Sequence, residues 1–128
     1  MDRLKDKVVI VTGGAGGIGL GMSKAMAKEG AIIAIVDVNE EAGQASLKVL
    51  QEISPKSMFL KADLMDRDKL PTIITTVAEA YGKIDVLVNN AHASKQVTIE
   101  DTTQADLDLS FGTGFYPTFY LMQAALPY

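Results

Sequence analysis

The stretch that decides the fold is Thr12-Gly13-Gly14-Ala15-Gly16-Gly17-Ile18-Gly19, a glycine-rich segment between a predicted strand and a predicted helix. The residues before it, Val8 to Val11, are continuous and β-branched, as in a strand buried on both faces. Glycine permits positive φ, lets main-chain amides approach a pyrophosphate and lets a helix pack tightly against a strand. The segment therefore predicts a dinucleotide-binding turn at a helix N-terminus rather than a flexible loop.

Two glycine spacings fit this segment, and the sequence supports both. The first is G-x-G-x-x-G, at Gly14, Gly16 and Gly19. The second is the wider T-G-x-x-x-G-x-G, which begins at Thr12 and ends at Gly19. No Gly-Lys-Ser or Gly-Lys-Thr ends the run, so the groups that bind a nucleoside triphosphate with magnesium are missing and a Walker loop is excluded.

Outward from this turn, apolar runs of strand length alternate with stretches of helical period, which is the pattern of βαβ units in a parallel sheet. Strands are predicted over residues 8–11, 31–36, 58–60 and 84–88. Helices are predicted over residues 18–29, 42–53 and 70–81, with a last amphipathic segment from about Asp106. The sequence thus predicts an α/β fold, a Rossmann-type doubly wound parallel sheet of about four strands with flanking helices, in one domain over residues 1–128.

Glycine and proline mark the expected helix ends. Gly30 and Gly82 stand where the first and third helices should stop. Pro71 lacks an amide donor, so the third helix should begin near Leu70 or bend there. Gly112, Gly114 and Pro117 weaken the first part of the last segment, whose apolar face carries Phe115, Phe119, Met122 and Leu126.

Composition excludes several kinds of function. The formal net charge is −4 and the Lys and Arg residues are scattered, so no basic stripe for nucleic acid is present. The absence of cysteine excludes disulfides and zinc-thiolate sites, and a single histidine, His92, excludes a multi-histidine metal site. The charged N-terminal residues and the glycines after the first apolar run argue against a signal peptide or a membrane span, so a cytoplasmic location is expected.

Two carboxylates follow predicted strands. Asp37 stands at the end of the second strand, where an acidic side chain accepts hydrogen bonds from both ribose hydroxyls of a dinucleotide and repels a 2′-phosphate, so NAD is favoured over NADP. The alternative for Asp37 is a helix N-cap assisted by Asn39. Asp63, at the end of the third strand, either hydrogen-bonds the adenine amino group, with Leu64 flanking the base, or caps the local turn.

Taken together, these residues closely resemble the short-chain dehydrogenase/reductase family, and the resemblance covers essentially the whole chain. It rests on four ordered motifs, namely Thr12-Gly13 through Gly17-Ile18-Gly19, then Asp37, Asp63-Leu64 and Asn89-Asn90-Ala91. It implies an NAD(P)-dependent oxidoreductase that acts on a hydroxyl or carbonyl of a small-molecule substrate. It further implies that Gly13, Gly17, Ile18 and Gly19 lie at the pyrophosphate, Asp37 at the adenosine ribose, Asp63 and Leu64 at adenine, and Asn90 and Ala91 beside the cofactor ribose.

Two positions depart from the family pattern. His92 stands where the family motif Asn-Asn-Ala-Gly has glycine, and it either contacts cofactor or substrate or serves as a local hydrogen-bonding group. Counting back from the helical ending of residues 118–127 places Gly114 where family members usually carry a catalytic asparagine, and Pro117 where they carry glycine. The asparagine-anchored water relay of the family is therefore not expected here.

The chain contains no recognisable acid/base group. The family's serine and Tyr-x-x-x-Lys pair are absent, since Tyr81, Tyr116 and Tyr120 are followed at the fourth position by Asp85, Tyr120 and Ala124. No catalytic residue is assigned. The 128 residues are interpreted as the NAD-binding part of an oxidoreductase, truncated before the family's catalytic segment and inactive alone.

Two other hypotheses remain open. A methyltransferase also uses a glycine-rich first turn, but it predicts an acidic residue just before the glycines, where Val11-Thr12 stands. A non-catalytic interaction module is the second, because a fourth strand with one unpaired side and an uncovered last helix would invite self-association. The family resemblance also implies a homo-oligomer assembled through the helices after the fourth strand.

Overall fold

In the computed structural model, which describes residues 1–128, four parallel strands form one sheet: β1 (Val8–Thr12), β2 (Ile32–Asp37), β3 (Met58–Lys61) and β4 (Val86–Val88). Their order is β3-β2-β1-β4. The α-helices are α1 (Gly17–Lys28), α2 (Glu40–Ile53), α3 (Leu70–Tyr81), α4 (Gln104–Ser110) and α5 (Tyr116–Ala125). A 3-10 turn at Arg67–Lys69 precedes α3, and a π-helical turn at Phe111–Phe115 joins α4 to α5.

Successive residues of the central strand β1 enter two different cores, because side chains alternate across a sheet. Val8 and Ile10 pack against α3 and α5 in a core that includes Leu121. Val9 and Val11 pack against α1 and α2 on the other face. The predicted doubly wound architecture is confirmed, and both faces of the sheet are covered by helices.

The strand register brings the carboxyl ends of the strands to one edge of the sheet. Thr12 is paired with Val36, Val88 is paired with Val11, and Asp37 is paired with Lys61. The segments that leave β1, β2, β3 and β4 therefore start side by side, which is where open α/β sheets bind their ligands.

The glycines and proline act as predicted. Gly30 follows α1 with φ of 94°, and Gly82 ends α3 with φ of 79°, both in the left-handed region that suits glycine. Pro71 lies in the first turn of α3, where its missing N–H would have had no helical partner. The helix begins at Leu70, which is one of the two expectations.

The fourth strand is shorter than predicted, with Val86–Val88 in place of residues 84–88. The Asp85 carboxylate accepts the main-chain N–H of Val8 at 2.8 Å, so a side chain replaces the main-chain acceptor where the ladder would begin. This hydrogen bond, followed by Lys83, lowers the pKa of Asp85. As predicted, β4 pairs with β1 alone and leaves its other side unpaired.

The last segment is interrupted at the positions expected from its glycines and proline. Pro117 has no N–H to donate to the carbonyl of Thr113, and the chain there forms the π-helical turn before α5 resumes. Pro117 and Leu121 are the buried residues of α5. Between 48% and 83% of each apolar side chain on the predicted face is exposed, the four residues being Phe115, Phe119, Met122 and Leu126.

None of the helices combines the length and the apolar character that crossing a bilayer would require.

Candidate functional site

The turn between β1 and α1 uses the wider of the two glycine spacings. Gly13 and Gly17 have φ of 64° and 53°, whereas Gly16 is extended. A residue with a side chain is strained at positive φ, so Gly13 and Gly17 are required for their backbone conformation. Gly14 is required for space, because a Cβ there would lie 2.6 Å from Cγ2 of Ile35.

Gly19 lets α1 pack directly on this turn. A Cβ at Gly19 would lie 2.7 Å from the Asn90 side-chain nitrogen and closer still to the carbonyl oxygen of Gly13. Contacts this short do not occur, so any larger residue would push the helix away from the turn. The N-terminal turn of α1 is thereby fixed at the carboxyl edge of the sheet.

The N-terminus of α1 has the chemistry of an anion site. Gly16 is the N-cap and provides no side-chain hydrogen bond, and the first helical turn contains no acidic residue. The main-chain N–H groups of Gly17, Ile18 and Gly19 have no acceptor within the chain. Space is open around Gly16 and Gly17, since a Cβ on either would meet nothing within 4 Å. Free amides, the positive end of a helix dipole and open space fit a pyrophosphate.

Asp37 is tied to the same turn rather than capping α2. Its carboxylate accepts the N–H of Ala15 at 3.1 Å and the N–H of Asn39 at 3.2 Å. The N-cap of α2 is Asn39, whose side chain accepts the N–H of Ala42 at 2.9 Å, so the N-cap interpretation of Asp37 is wrong. Buried Ser46, which the sequence did not single out, donates to the carbonyl of Ala15 at 2.7 Å and holds the turn from the other side.

Thr12 and Asn90 join the turn to the end of β4. The Thr12 hydroxyl oxygen accepts the main-chain N–H groups of Asn90 and Ala91, each at 3.1 Å. The Asn90 side-chain amide donates to the carbonyls of Thr12 and Gly13 at 3.1 and 3.3 Å. The sequence indicated Thr12 only as the first residue of the wider glycine spacing, and its hydrogen bonds to Asn90 and Ala91 were not predicted.

A cleft of about 290 Å³ opens over this edge of the sheet. Six of the nine predicted cofactor-binding residues line it, namely Gly13, Asp37, Asp63, Leu64, Asn90 and Ala91. The other three, Gly17, Ile18 and Gly19, lie in the first turn of α1 outside the cleft wall, and 77% of the Ile18 side chain is exposed.

Asp63 caps the local turn, which is one of the two roles that the sequence left open, and it also faces the cleft. One carboxylate oxygen accepts the N–H of Met65 at 2.9 Å, which caps the turn after β3. The side chain nevertheless lines the cleft, and its second oxygen has no partner in the chain. Leu64 lies beside it and packs against the core shared by β1 and α3.

The segment after β4 carries His92 into the same cleft. Its backbone is held by Thr113 of the π-helical turn, whose hydroxyl oxygen accepts the N–H of Ala93 at 2.9 Å. The His92 ring lies against Gly114, where a Cβ would approach Cδ2 of the imidazole to 2.7 Å. In the sequence, His92 and Gly114 are two separate departures from the family pattern. In the structure, the two residues are in contact.

The charged side chains in the wall of the cleft are all acidic. Its wall contains the carboxylates of Asp37 and Asp63 and no Lys or Arg. No group of three or more His, Asp or Glu side chains is arranged to hold a metal ion. The strongest pKa shift lies far from the cleft, at Glu29, where the Arg3 guanidinium lowers the carboxyl pKa to about 2.

Known proteins resemble this chain in sequence and in fold. The family model described as short chain dehydrogenase matches residues 7–128. General stress protein 39 of Bacillus subtilis is 38% identical over 99% of this chain and 45% of its own length. A 3beta-hydroxysteroid dehydrogenase of Mediterraneibacter gnavus is 38% identical over 83% of this chain and 39% of its own length.

The crystal structure of Cj0485 dehydrogenase superposes with a TM-score of 0.90 at 34% identity, covering 100% of this chain and 49% of that one. The chain thus spans less than half the length of each of these three proteins.

Proposed function

Because this chain belongs to the short-chain dehydrogenase family, we propose that residues 1–128 form the dinucleotide-binding domain of an oxidoreductase and that the cleft at the carboxyl edge of the sheet binds NAD. The bound cofactor would supply the nicotinamide ring that exchanges hydride with a hydroxyl or carbonyl of a small-molecule substrate. The observation that carries this proposal is the arrangement of the free α1 amides beside the anchored carboxylate of Asp37.

The roles proposed for the predicted residues follow from their free hydrogen-bonding groups and from their places in or beside the cleft. The amides of Gly17, Ile18 and Gly19 would bind the pyrophosphate, because they have no acceptor in the chain. Asp37 would bind the adenosine ribose, and Asp63 with Leu64 would contact adenine.

Asn90 would act mainly as a brace beside the cofactor ribose, because its side-chain amide is already used on Thr12 and Gly13. Ala91 would lie beside the cofactor, since it lines the cleft next to Gly13.

NAD is preferred over NADP in this proposal. A carboxylate offers about four lone-pair sites, and two N–H groups occupy only part of those on Asp37. The remaining sites can accept ribose hydroxyls, whereas a 2′-phosphate would meet two carboxylates and no Lys or Arg in the cleft wall. Hydrogen bonds to charged groups contribute about 1.5–3 kcal/mol each, which corresponds to roughly a ten- to hundredfold change in affinity.

Isothermal titration of the folded chain with NAD and with NADP tests the proposal. NAD should bind more tightly than NADP, and Asp37→Asn should weaken NAD binding at least tenfold while narrowing the difference between the two cofactors. Asp68→Asn is the matched control, because Asp68 is an exposed carboxylate outside the cleft. A folded chain that releases no heat with either cofactor would refute the proposal, as would an Asp37 variant with an unchanged cofactor preference.

We also propose that these residues bind the cofactor without supplying the reacting proton. No Tyr-x-x-x-Lys occurs among them, and a missing general acid/base costs about two to four orders of magnitude in rate. The chain alone should therefore bind NAD but show no turnover with secondary alcohols, including a 3-hydroxysteroid of the kind named for one relative. Formation of reduced cofactor is measured by its absorbance, and turnover near that of ordinary enzymes would contradict this part of the proposal.

We further infer that the chain self-associates through its last helices and resides in the cytoplasm. The rings of Phe111 and Phe115 lie 6.3 Å apart and are half or more exposed, so they form an apolar surface with Phe119. Light scattering after size exclusion should give a dimer or larger species, and Phe115→Ser with Phe119→Ser should shift it to monomer.

The cytoplasmic location is supported by the absence of cysteine and is tested by cell fractionation.

A further inference from the structure

His92 lines the cleft and stands between two residues whose main-chain amides are anchored. The N–H of Ala91 donates to the Thr12 hydroxyl at 3.1 Å, and the N–H of Ala93 donates to the Thr113 hydroxyl at 2.9 Å. Both neighbours of His92 are therefore fixed, one to β1 and one to the π-helical turn. These hydrogen bonds hold the main chain on either side of His92, whereas the His92 side chain itself is exposed.

The ring itself uses none of its hydrogen-bonding capacity within the chain. One edge lies against Gly114, where a Cβ would come within 2.7 Å of Cδ2 and 3.4 Å of Nε2. Neither ring nitrogen donates to or accepts from another residue, although the adjoining main-chain groups are satisfied. The local hydrogen-bonding role, which is the alternative that the sequence left open, therefore has no partner within the chain.

The strand order places this ring on the opposite side of the glycine turn from the two carboxylates. In the order β3-β2-β1-β4, Asp37 and Asp63 follow β2 and β3, whereas His92 follows β4. A dinucleotide bound at such an edge keeps its pyrophosphate at the turn after β1 and one ribose at the acidic residue after β2. Its second nucleoside must then extend toward β4 and His92.

We propose that His92 is a binding residue for the second, nicotinamide-bearing nucleoside, and that the missing side chain at Gly114 leaves the imidazole room to lie where it does. The inference rests on the proposed function of the cleft. A neutral imidazole presents one N–H donor and one acceptor. It can therefore pair with a ribose hydroxyl or a carboxamide, both of which donate and accept hydrogen bonds. His92 and Gly114 are thus a steric pair, in which the glycine leaves the space that the imidazole occupies.

Titration with NAD and with ADP separates this proposal from the proposed function. ADP contains the adenosine and diphosphate groups but lacks the second nucleoside. His92→Ala should weaken NAD about three- to tenfold, the equivalent of one hydrogen bond, and should leave ADP within about twofold. His92→Gln, which keeps a donor and an acceptor, should recover part of the loss. Gln96→Ala, in the same exposed segment, is the control and should change neither ligand.

A double-mutant cycle tests the steric pair. Gly114→Ala should displace the imidazole and reproduce the selective loss of NAD affinity, and it should have no further effect in a His92→Ala background. Additive effects of the two substitutions would overturn the pairing.

Equal weakening of NAD and ADP by His92→Ala, or no weakening of either, would overturn the role of His92 while leaving the cleft itself established. If neither NAD nor ADP binds the wild-type chain, the proposed function fails instead.

Discussion

Replacing Gly19 by alanine tests whether α1 is packed directly on the nucleotide-binding turn. The added Cβ would lie 2.7 Å from the Asn90 side-chain nitrogen and nearer still to the carbonyl of Gly13, and the carbonyl is part of a fixed backbone. Overpacking of a tight site typically costs about 1–3 kcal/mol. Alanine also gains about 0.8–1.0 kcal/mol over glycine from helix propensity. The change in the free energy of unfolding of Gly19→Ala alone would therefore combine a steric loss with a gain in helix propensity.

Gly21 provides the matched control that separates the two contributions. It lies in the same helix, is exposed, and would place its Cβ in open space. Gly21→Ala should therefore stabilise the chain by up to about 1 kcal/mol. Because both variants receive the helical gain, the difference between their free energies of unfolding, about 1–3 kcal/mol, measures the steric cost at Gly19 alone.

Urea denaturation followed by far-ultraviolet circular dichroism gives both free energies, and NAD titration gives the functional consequence. Gly19→Ala should lose NAD binding, because the helix must move away from the turn, whereas Gly21→Ala should keep it. Stabilities of the two variants that agree within about 0.5 kcal/mol, the usual spread for surface substitutions, would refute the packing of α1 on Gly13 and Asn90.

Three further outcomes are expected. Thr12→Val removes the acceptor of two main-chain amides after β4 and should lower the free energy of unfolding by about 1–3 kcal/mol in a urea melt. Gly43→Ala would drive a Cβ into the ring of Phe59, so its thermal midpoint should fall, against the rise of Gly21→Ala in a parallel melt. Glu29, whose folded pKa of about 2 lies below its ordinary value of 4.5 because of Arg3, contributes stability that is present above about pH 4.5 and is lost as the pH falls through about 2. Urea melts should show the advantage of wild type over Glu29→Gln disappearing across that window.

Features encoded by neighbouring residues could be predicted from the sequence. Gly82 ends α3 in the left-handed conformation that only glycine adopts easily, and Pro71 occupies a helical position that needs no N–H. The strands were predictable because β1 and β2 are buried on both faces and read as unbroken apolar runs. Both kinds of signal depend on a few consecutive residues.

Features that depend on contacts between distant segments were not predictable. The carboxylate of Asp85 accepts the main-chain N–H of Val8, and β4 begins at the next residue. Thr12 accepts two amides from the segment after β4, and Ser46 reaches the turn from α2. Nothing in the local sequence of these residues distinguishes a hydrogen bond across the fold from an exposed polar side chain.

The pair formed by His92 and Gly114 shows how such a contact changes the interpretation of a sequence. Considered separately, the histidine and the glycine each stand in a segment where many residue types would be accepted, so neither needs a particular explanation. Considered as neighbours, each explains the other, because the ring occupies the volume that a side chain at position 114 would need. The π-helical turn connects the two residues a second time. Thr113, which precedes Gly114 in this turn, accepts the main-chain N–H of Ala93, which follows His92. Because the π-helical turn supplies both the space for the ring and the hydrogen bond to the neighbouring Ala93, substitutions at positions 92 and 114 should be tolerated together more readily than singly.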